Sequence, residues 1–150
     1  MAQLSERKVV PSVDNKGNYI MNKHAPETLP LYPEAMNMEA LDSIPPFPKE
    51  ELISGEQENW TKIIHHGEVV VALYESTPAR IAVNKPFPYD EFINVLEGEL
   101  ILTHIDGKKQ TFKAGDSVLL PKGWMGTWDM TKHFREMIVV ETKAMEAAEG

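Results

Sequence analysis

From Trp60 to Glu141 the chain is cut into short runs by turn residues recurring every ~8 to 12 positions, and this rhythm limits it to an all-β barrel or sandwich. The runs are Trp60–His66, Glu68–Glu75, Arg80–Val83, Glu91–Leu96, Glu99–Ile105, Gln110–Phe112, Ser117–Leu120, Gly126–Met130 and Phe134–Glu141. Each is long enough for a strand and too short for a helix that could bury an apolar stripe. The turn signals are His66-Gly67, Glu97-Gly98 and, strongest, Asp106-Gly107, since a type I′ turn needs two positive φ angles that Asp-Gly accepts at low cost. The alanine- and glutamate-rich end, Lys143–Glu149, favours a helix that frays.

The first fifty-odd residues read differently. They hold Pro11, Pro26, Pro30, Pro33, Pro45, Pro46 and Pro48 and show little periodicity. Short extended pieces are expected at Lys8–Val13 and Asn18–Lys23, and one helical turn over Pro48–Ile53 that ends at Gly55. Leu29, Leu31, Tyr32, Met36 and Met38 give this arm apolar surface to bury. The expected organisation is a Pro-rich arm over 1–58 that packs on the barrel or on a partner subunit, a barrel over 59–142 and a tail over 143–150.

Composition narrows the function classes. A single domain of 150 residues buries roughly 70% of its unfolded surface. The net charge of −8, with no clustered basic stripe, argues against a nucleic-acid partner. The absence of cysteine removes thiol catalysis and disulfide stapling. The amino terminus carries Glu6, Arg7 and Lys8 among few apolar residues and is not a signal peptide, and no apolar run reaches the ~20 residues of a membrane span. The expectation is a cytoplasmic protein without a membrane partner. No phosphate-cradling glycine loop or nucleophile elbow is present.

Two phrases carry more information. One is Tyr89-Asp90-Glu91-Phe92-Ile93-Asn94-Val95-Leu96-Glu97-Gly98-Glu99-Leu100, in which Glu91 is followed after six residues by Gly98. The other is Gly115-Asp116-Ser117-Val118-Leu119-Leu120-Pro121-Lys122-Gly123-Trp124. Together, over roughly Ile64 to Val140, they resemble the paired motifs of the cupin superfamily, and the wording is similar to the EutQ-like and ureidoglycine aminohydrolase-like subgroup. The resemblance implies an RmlC-like double-stranded β-helix, a jelly-roll barrel, with an irregular amino-terminal arm. It also implies a site inside the barrel where a metal is held by three histidines and one glutamate.

Glu91 fills the glutamate position. The two histidine positions before it fall on Asn84 and Pro86, or on Lys85 and Phe87, and the third falls on Gly126. One carboxylate is too few ligands for a divalent transition metal, which takes three protein ligands or more in catalytic sites. The manganese-dependent hydrolysis of the aminohydrolase relatives therefore does not carry over, and no metal or other cofactor is expected. The five histidines do not offer a clear replacement. His65 and His66 are adjacent and face opposite sides of a strand, His133 reads as a loop residue and His24 lies in the arm; the Glu97-Gly98 turn leaves the parity of His104 open, and a site of Glu91, His104 and one arm histidine is the alternative.

An inward Glu91 is a carboxylate in a low-dielectric cavity, so it must be paired or its pKa must rise. Lys85, Arg80 and Arg135 are candidate partners. Glu91 is the expected acid or base, and Lys85, Tyr89, Trp124, Trp128, His104 and Arg135 are the expected ligand-binding set, the aromatic residues stacking a ring or caging an amine. Gly126 and Thr127 are expected to leave an open pocket where a histidine side chain would have been. The function expected is that of a metal-independent cupin binding, and processing by isomerisation, elimination or a similar step, a small polar metabolite, as a homodimer. The alternative is a non-catalytic ligand-binding, accessory or scaffold cupin. The EutQ resemblance also implies an accessory or acetate-phosphorylating role in small-molecule catabolism.

Overall fold

The computed structural model describes residues 13–18 and 25–150, in two compact units, Met1–Leu31 and Tyr32–Gly150. In the first unit the described feature is a tight turn at Asp14–Asn18. The Asp14 carboxylate accepts the backbone N–H groups of Lys16 (2.8 Å) and Asn18 (2.9 Å), and Gly17 takes a φ of 80° that a side chain would resist. The extended pieces expected at 8–13 and 18–23 lie outside the described residues apart from Val13 and Asn18, as does His24.

The second unit is all-β apart from a helix near each end. Its elements are α1 (Pro33–Met38), β1 (Asp42–Ile44), β2 (Leu52–Ser54), β3 (Asn59–His66), β4 (Val69–Ser76), β5 (Ala79–Val83), β6 (Glu91–Glu97), β7 (Glu99–His104), β8 (Lys109–Lys113), β9 (Ser117–Leu120), β10 (Gly126–Met130), β11 (Phe134–Glu141) and α2 (Thr142–Glu149). They form two antiparallel sheets, ordered β1-β3-β4-β11-β6-β9 and β2-β5-β10-β7-β8. From β5 onward the chain passes back and forth between the sheets, which is the jelly-roll double-stranded β-helix the motifs imply.

Period-2 alternation sends one face of each strand into the barrel. Glu91, Ile93 and Val95 of β6 point inward with Leu100 and Leu102 of β7, Trp128 and Met130 of β10, and Ala79 and Ile81 of β5. Ile93, Val95, Leu100 and Phe134 are fully buried. Removing any one of these large side chains to alanine is expected to cost about 2–5 kcal/mol, because so close-packed a core refills a cavity poorly.

Hairpin chemistry sets the register. Gly98, between β6 and β7, has φ 85°, and a Cβ there would overlap the His133 carbonyl oxygen. The β7–β8 hairpin forms at Asp106-Gly107 with a wider loop than the two-residue turn expected. Gly107 N donates to His104 O (2.8 Å), His104 N to Lys108 O (2.8 Å), and the Asp106 carboxylate accepts Lys108 N (2.8 Å). That carboxylate satisfies a loop donor the shorter turn would not have created.

Residues 32–58 add edge structure to both sheets. β1 pairs with β3 and β2 with β5. The turn after Pro48 forms, with Glu51 N donating to Pro48 O (2.9 Å), but it opens at once into β2 rather than continuing through Ile53. Of the apolar residues at 32–38, Met36 is buried (6% exposed), while Tyr32 and Met38 face solvent. At the other end the helix-favouring tail forms α2 over Thr142–Glu149. No helix among the described residues is long and apolar enough to cross a membrane.

Candidate functional site

A cavity of about 270 Å³ opens in the barrel between the sheets. Its walls are largely apolar and aromatic, with Phe47, Tyr74, Phe87, Tyr89, Ile81 and Trp128 prominent among them. Two carboxyl groups also line it, Glu91 from β6 and Glu136 from β11.

Glu91 begins β6 opposite Leu120 of β9 and shares the inward parity of Ile93 and Val95, so the strand itself directs the carboxyl group into the barrel. It is 6% exposed. Among the described residues no side chain forms an ion pair with it, and burial pushes its pKa up to about 7. Glu136 sits opposite Tyr74 of β4 and Val95 of β6 and is 3% exposed. Its Oε2 atom has no hydrogen-bond partner. Burial, reinforced by the negative charge of Glu91, holds its pKa well above the usual carboxylate range.

The phenols respond to the same surroundings. Burial, then the Glu91 charge, pushes Tyr89 up to about 12. Tyr74 is also raised, chiefly by burial. Tyr89 packs edge-on against Phe87, with ring centroids 5.4 Å apart. The loop that carries both is tied to the β9–β10 connection, where Phe87 N donates to Trp124 O (3.0 Å), Gly123 N to Phe87 O (2.8 Å), and Lys122 N to the Asp90 carboxylate (2.8 Å).

A buried polar network supports the opposite wall. Gln57 donates to the Tyr74 hydroxyl (3.0 Å) and Ser76 Oγ (3.1 Å) and accepts the Phe47 N–H at 2.9 Å. With the Asn59 amide turned so that its nitrogen donates to the Ile44 and Pro45 carbonyls (2.9 and 3.0 Å), the segment before Phe47 is anchored too. The Pro-rich stretch thus delivers one aromatic wall residue, Phe47, through contacts no local sequence pattern announces.

The expected site residues separate. Glu91, Tyr89 and Trp128 line the cavity. Lys85 is exposed in the β5–β6 loop, and neither it nor Arg80 pairs with Glu91. Trp124 packs on the core and edge-on to His104, with ring centroids 6.5 Å apart, outside the cavity lining. His104 has inward parity but ends its strand, where its Nδ1 lies 2.9 Å from the Asp106 carboxylate and the side chain is half-exposed. Arg135 is 5% exposed and lies on the opposite face of β11 from Glu136. Its guanidinium donates to the carbonyls of Asn37 and Glu39 at the end of α1, and its Nε lies 3.4 Å from Glu75 Oε1. It satisfies carbonyls that a helix end leaves free and fastens α1 to the outer sheet surface.

Gly126 does not leave room for a ligand. A Cβ at this position would overlap the Thr103 carbonyl oxygen and press on the Trp124 ring, so close strand approach fills the expected space. Glu136 went unread in the sequence because β11 is apolar on both faces. Ile138 and Val140 share its parity, Met137 and Val139 share that of Arg135, and alternation alone does not say which set faces inward.

The donors facing the cavity are two carboxyl groups, two phenols and the hydroxyl of Thr61. Among the described residues no group of three or more His, Cys, Asp or Glu side chains could hold a metal ion. The donor set does not match that of a three-histidine, one-glutamate centre.

The EutQ-like cupin domain model matches residues 61–137, just over half of the chain. No curated protein matches. Among solved structures the chain is similar to a protein of unknown function from Pseudomonas syringae pv. tomato, at 22% identity and a TM-score of 0.63, over 69% of this chain and 45% of that one. It is also similar to an ethanolamine utilization protein Q from Salmonella typhimurium, at 24% identity and a TM-score of 0.50, over 57% and 70% of the two chains. The EutQ protein of Clostridium difficile is similar at 20% identity and a TM-score of 0.50, over 63% and 78%. The chain therefore spans less than half the length of the Pseudomonas structure, and likeness at these identities speaks to the fold alone. On the match to its two motifs and the strands between them, this chain belongs to the EutQ-like cupin family.

Proposed function

We propose that the barrel binds a small polar metabolite in the Glu91 cavity without a metal, and that Glu91 exchanges a proton with it. The observation that carries this reading is a carboxyl group 6% exposed, facing an apolar cavity of about 270 Å³, with its pKa pushed up to about 7. A group poised near neutrality can both accept and donate a proton, which is what isomerisation or elimination needs. Tyr89 and Trp128 supply aromatic surface for orientation. Among the described residues the lining carries no lysine or arginine, which fits a phosphoryl-transfer role poorly, because such sites surround the phosphate with positive charge.

Two measurements test the reading. Purified protein should contain no stoichiometric manganese, iron, nickel or zinc; one equivalent of any of them would remove the metal-independent part. A thermal-shift screen of sugars, amino acids, amines and carboxylic acids should yield a stabilising ligand whose effect is lost in Glu91→Gln. A ligand that stabilises the variant equally would take Glu91 out of the site. Stabilisation without turnover would leave a binding module in place of an enzyme.

A further inference from the structure

The geometry points to a second binding residue and to a ligand class: Glu91 and Glu136 together hold the ammonium group of a small organic amine, whose apolar body lies against Phe47, Tyr89 and Trp128. This inference rests on the reading of the cavity as a small-molecule site. The first observation is the unpartnered Oε2 of Glu136, on a side chain 3% exposed that lines the cavity. A buried acceptor without a donor is costly to the fold and calls for an occupant that brings one. Among the described residues the other unpartnered buried side-chain atoms are Thr127 Oγ1 and Arg135 Nε, and neither residue lines the cavity.

The second observation is what surrounds the pair. Among the described residues the lining holds two acidic side chains and no basic one, so the site is set up for positive charge and against carboxylates and phosphates. A neutral alcohol offers one donor, whereas an ammonium group offers three and can serve both carboxyl groups at once. The remaining wall is aromatic on several sides, which suits a cation as well as the hydrocarbon it is attached to. The Tyr74 hydroxyl oxygen already accepts the Gln57 amide, which leaves it an O–H to donate and makes it a weaker acceptor for an ammonium group than either carboxyl group.

The test uses probes that share one skeleton and differ in charge: benzylamine, benzyl alcohol and benzoate, titrated calorimetrically into the full chain at pH 8, with the same series repeated on a butyl skeleton. The Trp128 indole resonance reports occupancy of the cavity. On the better-fitting skeleton the amine is expected to bind at least tenfold tighter than the alcohol, with no binding of the acid. Glu136→Gln is expected to reduce amine affinity at least tenfold, to reduce alcohol affinity by a clearly smaller factor, and to leave the melting temperature undiminished. Should that variant fold poorly, Glu91→Gln carries the same expectation. Alcohol or acid binding as tightly as the amine, or amine affinity indifferent to both substitutions, overturns the amine assignment while leaving a small-molecule cavity intact. If no probe shifts the Trp128 resonance, the cavity reading falls with it.

Discussion

Arg135 and Glu136 are neighbours on β11, nearly equal in burial at 5% and 3% exposed, and they meet opposite surroundings. Arg135, on the outer face, ends among acceptors: the carbonyls of Asn37 and Glu39 take its two terminal nitrogens, and its Nε, which makes no hydrogen bond, still faces the Glu75 carboxylate at 3.4 Å. Glu75 is in turn 3.5 Å from His133, and Glu39 pairs with Lys62. Glu136, on the inner face, has an oxygen with no partner and a second acid, Glu91, raising its pKa further. Folding tolerates a buried charge when its partners are built in, and such a charge holds structure together. A buried acid whose partners are missing is a cost the fold carries, and in a cavity that cost marks where a ligand belongs.

Substitutions on the two faces of β11 and its cavity should shift stability with opposite signs. Arg135→Met should destabilise the protein by about 3–5 kcal/mol in a urea melt, because it strips the end of α1 and leaves Glu75 without its nearest buried cation. A cost under about 1 kcal/mol would mean the outer network contributes little. Glu91→Gln should do the reverse above neutral pH, raising stability by on the order of 2 kcal/mol at pH 8. The sign follows from its pKa, raised from the ordinary 4.5 to about 7. At pH below 4.5 the carboxyl group is protonated folded or unfolded, and the fold carries no penalty. As pH rises from 4.5 to 7 the unfolded chain ionises first, stability drops, and above 7 the loss is complete. Glu136→Gln should act in the same direction. Equal pH profiles for wild type and both variants would erase the contrast between the two faces.

Smaller effects test the surroundings. Gln57→Ala should cost about 1–2 kcal/mol and weaken ligand binding, since it frees Phe47 N and removes the Tyr74 and Ser76 bonds together. His104→Ala should change stability by under about 0.5 kcal/mol and leave cavity binding unaltered, as befits an exposed strand end held to Asp106. A loss of binding in this variant would bring His104 back into the site.

The barrel was legible because its strands are bounded by Gly, Pro and Asx turns whose backbone needs are local. From Trp60 onward each expected strand appears with its ends displaced by only a few residues. What escaped depends on partners distant in sequence. β1 and β2 are three residues each and exist because β3 and β5 offer open edges, and α1 is six residues, too short to show a periodic stripe. The site was half legible. Glu91 stands in a motif and begins a strand with one clearly apolar face, whereas Glu136 lies on a strand covered on both sides. Arg135 was assigned to the ligand on charge alone; the bulge between Arg135 and Glu136 and the α1 cover above it have no local signature.

The ionisation of the two inward acids is read most directly from side-chain carboxyl carbon shifts followed by NMR across pH 3 to 10 in the ligand-free protein. The expected result is that Glu91 titrates near 7 and Glu136 well above the ordinary carboxylate range, with Glu136 falling toward it when an amine occupies the cavity. Two carboxyl groups titrating together near 4.5 would contradict it, for they would then be solvated or paired rather than waiting for a partner.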